Sequence, residues 1–190
     1  SYTPATNANG SATINLRIAD NGGTANGGIN ASVSQSFIIN VTSFNDLPSF
    51  VQGGNITVHE DAGLQTIPNW ATGITPGAPN ESSSGMSFIV VGVSGNLPFT
   101  IGAAVNATTG ELSFQTFANS FGTAVLRVRL VDSDGAESPS QEFQITATPV
   151  NDPPGFFVGP NQVGSESSSP RTVAGWATGI TSGPADESSQ

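Results

Sequence analysis

Apolar and polar residues alternate along most of this 190-residue chain. Between residues 123 and 132, Leu126, Val128 and Leu130 fall on one side of an extended backbone, and Arg127 and Arg129 fall on the other. Between residues 142 and 147, Phe143, Ile145 and Ala147 alternate in the same way with Glu142, Gln144 and Thr146. A period of two marks a strand with one buried face. Further strand-like runs cover residues 55–59, 65–70, 87–93, 99–104 and 111–115, separated by Gly, Asn, Ser and Pro. No stretch carries the 3.6-residue spacing of an amphipathic helix. Seven short strands in about 100 residues predict an immunoglobulin-like sandwich. The Cys–Trp–Cys spacing of true immunoglobulin domains is absent, because the chain has no cysteine.

The same pattern occurs more than once. Trp70-Ala71-Thr72-Gly73-Ile74-Thr75 recurs letter for letter from Trp176 to Thr181, an offset of 106, and residues 50–84 match residues 156–190 at 15 of 35 positions. Upstream, Phe37 aligns with Phe143 at that offset, while Gly10 to Asp20 align with Gly122 to Asp132 at an offset of 112. The first copy therefore carries about six extra residues, placed in the Gly- and Asn-rich loop within residues 21–36. Internal periods define domain organisation before any other signal. Residues 1–50 read as the C-terminal half of one repeat, 51–156 as a complete repeat and 157–190 as the opening of the next. The expected fold class is all-β, as tandem seven-stranded Greek-key sandwiches. The chain reads either as a window on a longer array or as a subunit completed by its neighbours in a polymer.

Composition narrows the function classes. The chain has 14 acids against four bases, all Arg, a net charge of -10 and no lysine. An acidic chain with four Arg lacks the electrostatic footprint for nucleic acid or anionic lipid. Without cysteine there are no disulfides, thiolate metal sites or thiol chemistry. Without lysine there is neither Schiff-base chemistry nor a Lys–Asn isopeptide staple. No run approaches the roughly 18 apolar residues of a membrane helix. His59 is the sole histidine, no Gly-x-Ser-x-Gly elbow occurs, and no Gly-rich phosphate loop opens a helix. The chain is expected not to be an enzyme. Six Asn-x-Ser/Thr sequons, at Asn9, Asn30, Asn40, Asn55, Asn80 and Asn106, are compatible with a glycoprotein.

The run from Arg129 through Asp132-Ser-Asp134-Gly135 and Pro139 to Asn151-Asp152-Pro153-Pro154-Gly155-Phe156 resembles the C-terminal half of a cadherin repeat. The chain as a whole resembles bacterial cadherin-like tandem repeats, which begin Glu-Asp-Ala-Gly, here Glu60 to Gly63, and continue Asn-Trp-Ala-Thr-Gly-Ile, here Asn69 to Ile74. The resemblance implies calcium at the joints between repeats. At the lower joint it implies Glu60, Asn151, Asp152 and, from the next repeat, Asp186 or Glu187. At the upper joint it implies Asn45, Asp46, Asn80 or Glu81, and Asp132, with Asp134 nearby. Calcium takes 6–8 oxygen ligands, which carboxylates and amide carbonyls supply. The joints also depart from the cadherin pattern: Ser43 and Pro149 stand where an Asp is usual, and Leu47 and Pro153 where an Asn is usual. These departures imply calcium sites that are poorer, fewer or lost. Eleven of the 14 acids lie in the motif segments near predicted domain ends, which fits either metal binding or turn and capping roles.

The repeated Trp70 and Trp176 are expected in the sandwich core rather than on a sugar-stacking platform. The reading for the whole is a secreted, cell-surface repeat array, a stalk, fibre or filament with structural and adhesive work. Its expected partners are neighbouring repeats or like subunits, and a cell-surface or matrix ligand. A carbohydrate-binding accessory module of a secreted enzyme is the alternative; it requires an exposed aromatic platform.

Overall fold

The alternating runs pair into antiparallel sheets. The structure, a computed structural model, describes residues 1–81, 85–166 and 169–189. In chain order the strands are β1 (Gly10–Leu16), β2 (Gln35–Val41), β3 (Ser49–Val51), β4 (Ile56–His59), β5 (Gln65–Ile67), β6 (Thr72–Thr75), β7 (Met86–Gly95), β8 (Phe99–Val105), β9 (Leu112–Thr116), β10 (Gly122–Asp132), β11 (Gln141–Thr148), β12 (Gly155–Phe157) and β13 (Thr178–Thr181). Among the described residues the only helical elements are short 3-10 turns.

Two sheets enclose the core: a four-stranded sheet in the order β4-β11-β10-β7 and a three-stranded sheet in the order β5-β9-β8. All neighbours are antiparallel except β4, which runs parallel to β11 with Ile145 opposite Ile56. The alternation of β10 and β11 delivers Leu126, Val128, Leu130, Phe143, Ile145 and Ala147 to the inner face, each buried. Leu112 and Phe114 on β9 meet them from the other sheet and are fully buried. Truncating such a side chain to Ala removes about 2–5 kcal/mol.

Trp70 closes one end of this core. Its ring lies 4.5 Å from that of Phe143, only 4% of the residue is exposed, and its indole N–H donates to Gly54 O at 3.0 Å. The repeated Gly53 is required here, since a Cβ would stand 2.4 Å from the indole. Trp70 is thus a core residue and offers no sugar-stacking face. The single histidine, His59, is exposed at the end of β4 with Nδ1 2.9 Å from Thr148 Oγ1.

The strand predicted over residues 65–70 stops at Ile67. Pro68 follows, then Asn69 with φ at 54°, a conformation that extended structure does not use. The chain then reforms as β6, which pairs with β3 rather than with the sandwich sheets. Both partners are short and bulged, so neither shows an alternation in sequence.

Outside the sandwich the internal offsets reappear as geometry. The β1–β2 hairpin pairs Gly10 with Val41 and Leu16 with Gln35; the β10–β11 pair sets Gly122 opposite Ala147 and Val128 opposite Gln141. With 112 added to the first strand and 106 to the second, all seven pairs coincide. Likewise β12–β13 repeats β3–β6: Ser49 faces Thr75 as Gly155 faces Thr181, and Val51 faces Thr72 as Phe157 faces Thr178.

Candidate metal centre at the lower joint

The lower joint lies where β11 runs out into Asn151 and Asp152. Glu60 follows β4, whose parallel pairing with β11 carries it to the same end of the sandwich; its N–H donates to Thr148 O and its Oε1 accepts the Val150 N–H at 2.7 Å. From the other side, the 3-10 turn Ala185–Ser189 brings Asp186 and Glu187. Glu187 Oε1 accepts the Asp152 N–H at 3.1 Å. One carboxylate oxygen from each of Glu60, Asp186 and Glu187 lies within 4.8 Å of the others.

These carboxylates are buried and incompletely partnered. Glu60 and Glu187 are each 2% exposed. Glu60 Oε2, Asp152 Oδ2, Asp186 Oδ1 and Glu187 Oε2 all lie out of reach of solvent with no hydrogen-bond partner. Burial raises the Glu60 carboxyl above its ordinary value; the Val150 N–H opposes this, and the charges of Asp186, Asp61 and Asp152 add to it. Asp152 is raised by burial and then by the charges of Asp61, Asp186 and Glu187. No arginine compensates. Arg127 pairs with Glu142 at 2.6 Å and Arg129 with Glu137 at 3.2 Å, both on the sandwich surface, and Arg17 and Arg171 are exposed. Burying ionised carboxylates without counter-charge costs several kcal/mol each.

The upper joint uses the same backbone frame differently. Glu81 Oε1 accepts the Asp46 N–H at 2.6 Å, and Glu81 Oε2 accepts the Ala78 N–H at 3.1 Å. Gly77 has φ at 133°, and a Cβ there would stand 2.6 Å from Glu81 Oε2. At the lower joint Pro184 takes the place of Ala78. Proline has no N–H, so Glu187 Oε2 is left free. Asp186 also replaces Asn80, adding a carboxylate. Asp132 is buried but engaged in its own turn: Oδ1 accepts the N–H groups of Asp134 and Ala136, both at 2.9 Å, and Oδ2 accepts Asn45 Nδ2 at 3.2 Å. Burial works to raise the Asp132 carboxyl, yet these donors together hold it below the ordinary aspartate value. Asp134 is exposed.

Of the residues implied for the lower joint, Glu60, Asp186 and Glu187 converge and Asp152 stands beside them with its N–H on Glu187 Oε1, whereas Asn151 is exposed with its amide on Asp152 O at 3.3 Å. Of those at the upper joint, Asn45, Asp46, Glu81 and Asp132 are linked in pairs by hydrogen bonds, with Asn45 Oδ1 left unpartnered. The additional residue at the lower joint is Asp61. It adopts φ at 58°, its Oδ1 accepts the Asn119 N–H at 2.8 Å, and its charge acts on both Glu60 and Asp152. It belongs to the Glu60-Asp61-Ala62-Gly63 motif, which was the available signal. The sequon at Asn80 runs into Ser82, which lies outside the described residues. In comparisons with known proteins, no family model matches the chain and no curated protein is significantly similar to it.

Proposed function

We propose that this chain is a segment of an extracellular array of Greek-key sandwich repeats, a stalk, fibre or filament, in which calcium locks the joint between one repeat and the next. The observation that carries the reading is the set of four buried, unpartnered carboxylate oxygens on Glu60, Asp152, Asp186 and Glu187. Such oxygens are ligands for a hard divalent cation. The cation relieves the charge repulsion among them, and the oxygens that bind it need no hydrogen-bond partner. Glu60, Asp186 and Glu187 would hold it, with Asp152 and Asp61 beside them.

The placement of those residues supports a role for the cation as a tie between repeats. Glu60 and Asp152 belong to residues 51–156, while Asp186 and Glu187 belong to the segment that follows. A shared ion therefore ties two repeats at a fixed spacing, alongside the stiffness of Pro153 and Pro154. Bending at the joint would separate charged ligands from the ion. Repeats of this kind give an extended, spring-resistant body whose stability is the sum of its units and their interfaces. Extracellular calcium modules work with Kd of about 10⁻⁴–10⁻³ M, a range that a joint with four carboxylates and few preset ligands can serve. A secreted setting also suits the sequons and the absence of thiols. Calorimetry with calcium and then with excess EDTA tests the reading. A melting temperature that falls in EDTA supports it, and one that does not move overturns it.

A further inference from the structure

The free edges of a sheet decide what it can pair with. Within residues 51–156 the two sheets end at one side in β7 and β8 and at the other in β4 and β5. The β4–β5 side is blunted: β4 has four residues and runs into Glu60 and Asp61, and β5 has three residues and runs into Pro68. On the other side, β7 is 10 residues long and contains neither proline nor a charged residue. Its outer side has no strand beside it among the described residues. From Met86 to Gly92 it pairs one for one with Asp132 to Leu126, and its register shifts only beyond that point. By contrast β8 is irregular, with shifts between Phe99 and Ile101 and between Ile101 and Ala104, which makes it a poor template for a further strand.

The chemistry of this edge fits a second copy of the chain. With a net charge of -10, two copies repel wherever their acids meet. Residues 82–110, which include β7 and β8, are the longest stretch of the chain without a charged side chain, so repulsion is least there. Met86, Phe88 and Val90 pack against the core, and Ser87, Ile89 and Val91 alternate with them on the outer face. In an antiparallel pairing of two copies of β7 centred on Ile89, Ile89 faces Ile89 and Val91 faces Ser87, all uncharged contacts of good strand formers. Between β7 and β8 the sandwich also opens a cleft of about 420 Å³, lined by Val90, Leu97, Phe99, Ala103 and Leu126 among others, whose mouth a second copy would cover. Both joints lie at the ends of the strands, Asn45 on Asp132 and Glu60 on Val150, whereas this edge runs along their side.

We propose that β7 of one copy pairs antiparallel with β7 of a second copy about a twofold axis at Ile89, joining two four-stranded sheets into one of eight strands. The same surface is used on both sides, so the contact closes at a dimer. It goes beyond the calcium joint: it sets repeats side by side where the joint ties them end to end, and it uses no carboxylate. A single strand pair makes a small interface and a weak one. Along two parallel arrays, such contacts would reinforce one another without any new surface.

Sedimentation velocity of the 190-residue chain, in calcium and in EDTA, tests this across about 1 µM to 1 mM, the Kd range of a small interface. The expected result is a monomer–dimer equilibrium that is the same in both buffers. Ile89→Glu and Ile89→Lys each place like charges opposite one another at the axis and weaken association by at least about tenfold; an equimolar mixture of the two dimerises. Ile89 lies outside the core cluster, so melting of each variant reports folding separately. The chain has no cysteine, so single introduced thiols read the register. Ile89→Cys is expected to oxidise to a disulfide-linked dimer. Ser87→Cys is not, because the two copies of residue 87 stand about 14 Å apart along the strands, beyond the reach of a disulfide. A monomer throughout the range overturns the proposal and leaves the edge to a strand of another protein. Association that survives both charged variants, or Ser87→Cys that crosslinks as readily as Ile89→Cys, overturns it too. Association that requires calcium also overturns it, by assigning the contact to the joint carboxylates, while a monomer in both buffers leaves the calcium joint to its own melting test.

Discussion

The upper and lower joints share a frame and differ in what their side chains lack. In both, a glutamate in a short 3-10 turn accepts an N–H from the aspartate of the Asn-Asp pair, Glu81 from Asp46 and Glu187 from Asp152. In both, a short two-stranded sheet of identical register precedes the turn. At the upper joint the second oxygen of Glu81 is consumed by the Ala78 N–H. At the lower joint Pro184 withholds that donor, Asp186 adds a charge, and Glu60 closes the group from the sandwich side. The same fold element is a capped turn in one place and, in the proposed reading, a set of cation ligands in the other. An acid at a joint is therefore read by its unspent oxygens rather than by its position in the motif.

The difference can be broken from either side. The largest effect is expected from Glu60→Gln, which removes a ligand carboxylate while keeping the hydrogen bond to Val150. At calcium a hundredfold above its Kd, binding contributes about 3 kcal/mol; this variant loses that stabilisation and melts alike in calcium and EDTA. Glu81→Ala comes next. It strands the Asp46 and Ala78 N–H groups, costing about 2 kcal/mol, and the loss is the same with and without calcium. Thermal melts in both buffers check the pair; equal calcium dependence of the two variants would erase the distinction between the joints.

Pro184→Ala is the sharper test. If the alanine N–H reaches Glu187 Oε2 as that of Ala78 reaches Glu81, calcium affinity falls about tenfold while the calcium-free protein gains about 1 kcal/mol. Opposite signs in the two buffers are the expected outcome of a denaturant titration.

The smallest expected effect is on pH. Glu60 and Asp152 are raised above their ordinary values of 4.5 and 3.8, so the folded, calcium-free protein binds protons more tightly than the unfolded chain does. Their contribution is fully present below the ordinary carboxyl values and is lost as pH rises through the raised ones. In EDTA, stability should therefore increase as pH falls from 7 toward 5. With calcium bound the sign reverses, because protons compete with the ion. Asp132, lowered from 3.8, acts separately: its contribution is lost only as pH falls below that value. Melts over the two pH ranges distinguish these behaviours.

Much of the sandwich was legible because its strands bury one face. The alternation of Leu126, Val128, Leu130 and of Phe143, Ile145, Ala147 fixes β10 and β11 without reference to any partner. The internal offsets carry through to residue-by-residue strand pairing. What was not legible is set by partners. Thr72–Thr75 has no alternation and becomes a strand only against Ser49–Val51. The break at Asn69 depends on a left-handed residue that sequence alone does not announce. At the site, the motif positions marked the acids but could not say which were satisfied. Trp176, identical in motif to Trp70 and expected in the core with it, is 38% exposed where Trp70 is 4%.

The most direct test is isothermal titration of calcium into the calcium-stripped chain and its Glu60→Gln and Glu81→Gln variants. The account predicts a single class of site that Glu60→Gln abolishes and Glu81→Gln retains. No binding heat in the parent chain, or binding that survives Glu60→Gln and disappears in Glu81→Gln, would contradict it.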